Sequence, residues 1–331
     1  MELKLKTLIF FSMITNSKIA FGDRLGAQMG VFAELIYLAI ENKQDLCFFS
    51  EFQKFRWGYC FLDYFDIPRH TQLGKIIFLR RLWLPIPELY CLQFSRNTNA
   101  IVNWKRIFKD SYKQRMDWYF YRFCRLFYSD FKIVRGNNGI HCDPILLDLD
   151  PRKNYDIQGG FGTYKDWKKY ENVVLDLFAF KNDVVSEGNV IYKDIKSEKP
   201  TVAVHFRKGD YLIMSSHNLT LDYYKKALSF FDRDKYKLLI FSDDIESCKE
   251  IDIFDGYELH YVEEHSAGVD MYLMSLCDNN IIANSSFSFW GAFLNKNKEK
   301  LVVCPHDFIG EKDIKNSYIN GNWYPDNWIA L

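Results

Sequence analysis

The residues best suited to chemistry fall into four short polar runs, each next to an apolar stretch. His205-Phe206-Arg207-Lys208-Gly209-Asp210 follows 201–204, Ser242-Asp243-Asp244 follows 237–241, Asp270 opens the run DMYLMSLCD, and Asn284-Ser285-Ser286 follows 280–283. Arg207 offers a planar fork of donors that matches a phosphate and stays charged in any surroundings. Gly209 lets the backbone turn sharply or approach a ligand closely. Ser285 and Ser286 precede a helix expected from near Phe287, so hydroxyls, exposed N–H groups and the positive helix end all point one way. Each run alone reads as an ordinary cap or charged turn. Together they favour a diphosphate. Asp270 has two readings: charge–dipole support for its own helix, or a carboxylate accepting the paired N–H donors of a guanine edge. Asp243 and Asp244 are candidate caps or metal ligands. Arg207 and a helix end already supply a diphosphate's countercharge, so no metal is required.

The elements that must position these groups repeat regularly. Strands are expected at 201–204, 237–241, 258–262, 280–283 and 301–304, with helices over 221–231, 245–251, 270–278 and 288–295 between them. β–α alternation of this kind makes a parallel sheet whose strand ends share one rim, where α/β sheets bind ligands. The chain begins the same way. A strand at 8–14, a helix over 27–42 and a strand at 46–49 form a βαβ unit. Its loop holds Gly22, Asp23, Arg24 and Gly26, a place for an anion or a sugar hydroxyl. The segment 52–135 gives no clear period. Within it, 104–135 interleaves basic and aromatic residues, Arg122 and Arg125 among them, as a membrane-surface helix or an amphipathic helix packed inward does. The stretch 143–154 reads as a connection, 157–162 as a glycine-rich turn, 167–178 as one helix, and 181–200 as charged and polar with weak strand content at 190–192.

Composition sets bounds. A chain of 331 residues fits two domains of ordinary size. The 43 basic residues balance 43 acidic ones, so nucleic-acid binding has no global electrostatic support. At 18% of residues, aromatic side chains exceed what a small core absorbs and need a further place to pack. The eight cysteines are scattered without a CxxC pair, which fits neither a zinc site nor a disulfide scaffold; a reducing compartment is expected. The apolar start at 3–14 is too short to span a membrane and lacks a small-x-small cleavage site, so it reads as a first buried strand.

HFRKGDY at 205–211, FSDDIESC at 241–248 and DMYLMSLCDNNIIANSSFSFWGAFLN at 270–295 closely resemble the bacterial α-1,2-fucosyltransferases, glycosyltransferase family 11. IQGGFGTYKDWKKY at 157–170, FAFK at 178–181 and YPDNWI at 324–329 extend the match. The resemblance implies an α/β protein of GT-B type, with two Rossmann-like domains facing each other across a cleft. These would be an acceptor-side domain at 1–165 and a GDP-fucose-binding domain at 166–331, with the C-terminal tail packing back on the first. It implies inverting, metal-independent transfer from GDP-β-L-fucose to O-2 of a galactose, without a cofactor, in O-antigen or capsule synthesis.

Carried over by position, the resemblance gives Arg207 the diphosphate and His205 the orientation of the donor. Asp210 would fix its loop or contact the nucleotide, Asp270 would read guanine, and Ser285 and Ser286 would bind phosphate, with Asp243 and Asn284 beside them. Phe287, Trp290 and Asn295 look like packing. Asp23 and His217 are the candidate bases. The family's GGLGNQ-type loop is altered here, with Ala27 in place of Asn, which leaves the acceptor open. The implied partners are GDP-fucose and a galactose-containing or lipid-linked glycan. The implied setting is cytoplasmic, with peripheral contact at the inner membrane. A fucosyltransferase of another linkage, such as α-1,6, and a non-catalytic nucleotide-sugar or glycan-binding protein are the alternatives.

Overall fold

The computed structural model describes residues 13–16, 24–48, 59–67, 70–71, 74–78, 131–135, 148–158, 163–207, 219–308 and 323–331. Among these, two six-stranded sheets form the scaffold. The first contains β1 (Met13–Thr15), β2 (Asp45–Phe48), β3 (His70–Thr71), β4 (Gly74–Phe78), β5 (Phe131–Arg135) and β6 (Asn154–Gln158), in the order β3-β4-β2-β1-β6-β5. Its pairs are parallel except β3 with β4. Helix α1 (Leu25–Glu41) crosses from β1 to β2. It is buried on nearly every side, from Leu25 to Ala39, and its chain leaves through Lys43 at φ 54°. There Gln44 N–H donates to Ala39 and Lys43 N–H to Ile40, closing the last turn as a left-handed residue allows.

The second sheet is parallel throughout: β7 (Thr201–Phe206), β8 (Lys237–Ser242), β9 (Glu258–Val262), β10 (Asn279–Ile281), β11 (Val302–Cys304) and β12 (Ile329–Ala330), in the order β12-β11-β10-β7-β8-β9. From its β9 edge the strands run third, second, first, fourth, fifth, sixth. That is the doubly wound order, and the direction of winding reverses between β7 and β10. The remaining helices are α2 (Tyr164–Trp167), α3 (Glu171–Leu177), α4 (Asn182–Ile195), α5 (Leu221–Leu228), α6 (Ile245–Lys249), α7 (Ala267–Leu276) and α8 (Ser286–Phe293). The end of the chain closes the second sheet as β12 on β11, and Lys168 pairs with Asp326 at 2.5 Å.

Three expectations change. The segment 181–200 holds helix α4 instead of weak strand. Its apolar stripe is narrow, Val184, Gly188 and Ile195 among charges, so periodicity hid it; packing on α7 stabilises it. Gly188 is needed there because a Cβ would sit 2.4 Å from Tyr272 Cδ1. The single helix expected over 167–178 is broken by a 3₁₀ turn at Lys168–Tyr170. Trp167 turns inward at that break to stack on Trp290, with centroids 5.6 Å apart and planes at 6°. Ile157 and Gln158, expected in a turn, end β6 between β1 and β5.

The aromatic surplus packs where the two sheets' helices meet. One apolar cluster joins Leu25, Met29 and Phe32 of α1, Phe61 and Phe65, Trp167 and Phe178, and Phe289, Trp290 and Phe293 of α8. Phe178 meets Trp290 at 4.9 Å and Phe65 at 5.3 Å, edge to face, the geometry aromatic quadrupoles favour.

Candidate functional site

Register alone brings the polar runs together. Phe206 of β7 pairs with Ser242 of β8, so Arg207 emerges beside Asp243. Val204 pairs with Ile281 of β10, so His205 and Arg207 also run beside the segment that leads through Asn284 to Ser285. The switch point between β7 and β10 is where an α/β sheet opens a crevice for a ligand.

At this point Arg207 Nε lies 3.3 Å from Asp243 Oδ2, its side chain only 10% exposed. The same carboxylate oxygen lies 3.7 Å from Arg24 Nη1. Ser285 is the N-cap of α8, its hydroxyl accepting from Phe287 N–H at 3.3 Å. The positive end of α8 therefore opens onto the crevice beside Arg207. His205 is buried, with Nδ1 unpartnered among the described residues and its ring 5.8 Å from that of Phe287. Burial, then the Arg207 charge, lowers its imidazole to about 3, against a weaker opposite pull from Asp243. At neutral pH it is uncharged, so it offers hydrogen bonds and no countercharge.

Asp270 lies in the first turn of α7, where an acid favours the helix dipole, but the N-cap is Ser266, its Oγ accepting from Val269 N–H at 3.3 Å. Asp270 Oδ1 is buried without a partner among the described residues, and burial raises the carboxyl to about 7. A buried unpaired carboxylate is costly, which points to a ligand's donors as its partner. Asp244 is the opposite case. It caps α6, accepting from Ser247 N–H at 3.2 Å and Ser247 Oγ at 2.5 Å. Asp243 is instead the carboxylate between the arginines.

Packing roles fall as expected for Trp290 and Asn295. Trp290 is 1% exposed. Asn295 Nδ2 donates to Cys277 O at 2.7 Å and to Asn280 Oδ1 at 2.9 Å. Asp23, Asp210 and His217 lie outside the described residues, as do Lys208, Gly209 and the basic aromatic run up to Asp130.

The first domain brings the glycine loop marked in the sequence as a place for an anion, together with residues the sequence does not single out. Gly26 presses α1 against the start of α8 so closely that a Cβ would lie 2.4 Å from Phe287 N and from Ser286 C. Both helix N-termini thus meet at the rim, and Arg24 stands at the N-cap of α1. Gln28, wholly buried, accepts from Phe61 N–H at 2.9 Å and holds 59–67 against α1. That segment sets Tyr64 against Gly268 of α7, where a Cβ would meet the ring at 2.2 Å. Burial raises the Tyr64 phenol to about 12, with Asp270 a minor contributor. Tyr59 stands beside Arg24 and Arg207; burial raises its phenol against the Leu25 N–H and both guanidiniums. A basic residue inside a glycine loop was the available signal for Arg24. For the tyrosines no spacing rule pointed across the cleft.

Residues 181–328 match the family model described as Glycosyl transferase family 11. Over 177 residues the chain is 34% identical to the O-antigen biosynthesis glycosyltransferase WbnK of Escherichia coli, covering 49% of this chain and 56% of that protein. Over 142 residues it is 33% identical to an alpha-1,2-colitosyltransferase of Escherichia coli, covering 40% of this chain and 47% of that one. The chain thus spans about half the length of these curated relatives. The apo crystal structure of POFUT1 superposes with a TM-score of 0.50 at 12% identity, covering 89% of this chain and 97% of that one, a likeness of fold alone. The two sheets form the expected α/β scaffold of GT-B type. Residues 181–328, which hold His205, Arg207, Asp243, Asp270 and Asn284 to Ser286, are the part of the chain that is similar to glycosyltransferase family 11.

Proposed function

We propose that the protein transfers L-fucose from GDP-β-L-fucose to the 2-OH of a galactose in a glycan acceptor, with inversion, in O-antigen or capsule synthesis. The observation that carries this is that Arg207 and the Ser285-capped start of α8 follow adjacent parallel strands, β7 and β10, at the switch point. The acceptor oxygen attacks C1 of the sugar while the C1–O bond to GDP breaks on the opposite face. The hydroxyl proton leaves to a base, and Asp23 and His217 are the candidates. Negative charge grows on the departing diphosphate, so preorganised donors around it act most strongly in the transition state. Asp270 reads the guanine edge, with its cost of burial offset by the guanine donors. Arg207 and the α8 end supply the countercharge, so transfer persists in excess EDTA; its loss there would bring a divalent ion into the step.

The likeness to a colitosyltransferase favours a second donor for the same site, a GDP-linked colitosyl group. The test incubates the full chain with GDP-fucose and, separately, GDP-colitose over a panel of galactose-ended acceptors, with the product linkage read by NMR. An α-1,2 product from either donor supports the reading and names the sugar. An α-1,6 product corrects the linkage. GDP-fucose that binds without being transferred to any acceptor leaves a binding protein. We propose a cytoplasmic setting with peripheral contact at the inner face of the membrane, for which the basic run 104–135 is the candidate segment. Unchanged liposome binding after Arg122→Glu and Arg125→Glu removes that contact.

A further inference from the structure

We propose that Arg24, from the first domain, is a second diphosphate-binding cation, standing with Arg207 on either side of the Asp243 carboxylate. The inference deepens the donor-transfer reading above and rests on it.

Three observations converge. Arg24 Nη1 and Arg207 Nε approach the same oxygen, Asp243 Oδ2, at 3.7 and 3.3 Å, so the two guanidiniums lie within one diphosphate's reach of each other. One carboxylate faces two arginines, and the positive ends of α1 and α8 meet at the same place. Two guanidiniums and two helix N-termini at one place are a setting that suits a dianionic group. Finally, the position of Arg24 is fixed from behind. Gly26, two residues on, lies against the Ser286–Phe287 backbone with no room for a side chain. The Arg24 side chain is 35% exposed and that of Arg207 10%, so Arg24 is the more accessible of the two. In this arrangement the second domain holds the nucleotide and the first adds a cation across the cleft, which couples donor binding to apposition of the domains.

The test measures the Kd of GDP and of GMP by calorimetry for the wild type, Arg24→Ala, Arg24→Gln, Arg207→Ala and Asp243→Asn, with circular dichroism confirming that each is folded. A cation on the β-phosphate acts on GDP and spares GMP. Arg24→Ala and Arg24→Gln are expected to weaken GDP at least about tenfold, as loss of a charge-assisted bond does, while GMP stays within about twofold. Asp243→Asn is expected to hold or tighten GDP, because it removes an anion and keeps both cations. A GDP-to-GMP ratio in both Arg24 variants equal to the wild type's overturns the assignment. Equal losses in Arg24→Ala and Asp243→Asn also overturn it, making Arg24 only a clasp between domains. If the wild type itself fails to bind GDP, it is the donor reading that falls. If Arg207→Ala loses the ratio and Arg24→Ala keeps it, only the inference about Arg24 falls.

Discussion

The rims of the two sheets are built on opposite plans. The rim of the second sheet carries its chemistry on strand ends and a helix start: His205 and Arg207 after β7, Asp243 after β8, and Ser285 at the α8 cap. The rim of the first contributes close approach. Gly26 seats one helix start on another, Gln28 anchors the segment 59–67, and that segment delivers Tyr64 to α7. Register fixes the first kind of rim, since residues that follow paired positions must stay neighbours. Tertiary contact alone fixes the second, because nothing in the local pattern of 59–67 says what it will face.

The comparison can be broken most directly at Arg207. Arg207→Ala is expected to lower kcat about 10²–10³-fold at saturating donor, the cost of losing one preorganised charge-stabilising group. A kcat near the wild-type value would move the chemistry away from the second rim.

Asp270→Asn should separate binding from stability. In GDP titrations it loses about tenfold or more in affinity, because an amide cannot accept two donors as a carboxylate does. Its effect on stability has the opposite sign. The folded carboxyl titrates near 7, and an unfolded one near 4. Between those values the folded state binds more protons, so the wild type loses stability as pH rises toward 7, and the loss is complete above it. Asn carries no such loss, so melting at pH 8 should occur at a higher temperature in the variant. For the same reason GDP binding to the wild type should strengthen as pH rises through about 7. Equal melting temperatures for the two proteins at pH 8 would place the carboxylate in contact with a charge or donor.

Gly26→Ala probes the first rim. Helix propensity alone favours Ala by about 1 kcal/mol. The added Cβ, however, would meet backbone atoms of Ser286 and Phe287 at 2.4 to 2.6 Å, and backbone cannot rotate away. A net destabilisation of about 1–3 kcal/mol by denaturant unfolding is expected. An unchanged midpoint would mean that α1 and α8 can slide apart freely, which would undo the contrast between the rims.

The smallest effect belongs to the neighbour of Asp243. Asp244→Ala removes the α6 cap and should cost about 1 kcal/mol while leaving kcat alone. A large fall in kcat would show that both acids serve the site.

Much of the second half was legible. The expected strand at 258–262 coincides with β9, and those at 201–204 and 237–241 differ from β7 and β8 only at their ends. Buried parallel strands read as continuous apolar runs, and the runs here are bounded by polar residues. Helix α4 escaped notice because its buried face is three residues wide. Helix α7 was placed three residues late because the serine that caps it, Ser266, stands apart from the apolar run. Strands β3, β4 and β5 lie within 52–135, where mixed aromatic and basic residues give no single period.

By itself, the sequence determined the β–α alternation of the second half, the diphosphate-suited residue types at its strand ends and the resemblance that names a donor. These are properties of local pattern and spacing, and they survive translation into structure because strand register keeps neighbours together. Only the tertiary structure decided which acid caps a helix and which lies between arginines, that Ser266 is the N-cap of α7, and that Arg24 reaches the site of Arg207. The two caps are local contacts between residues of one turn that several residue types could make. Arg24, by contrast, meets Asp243 from some two hundred residues away, where packing geometry sets the partner and local preference carries no information.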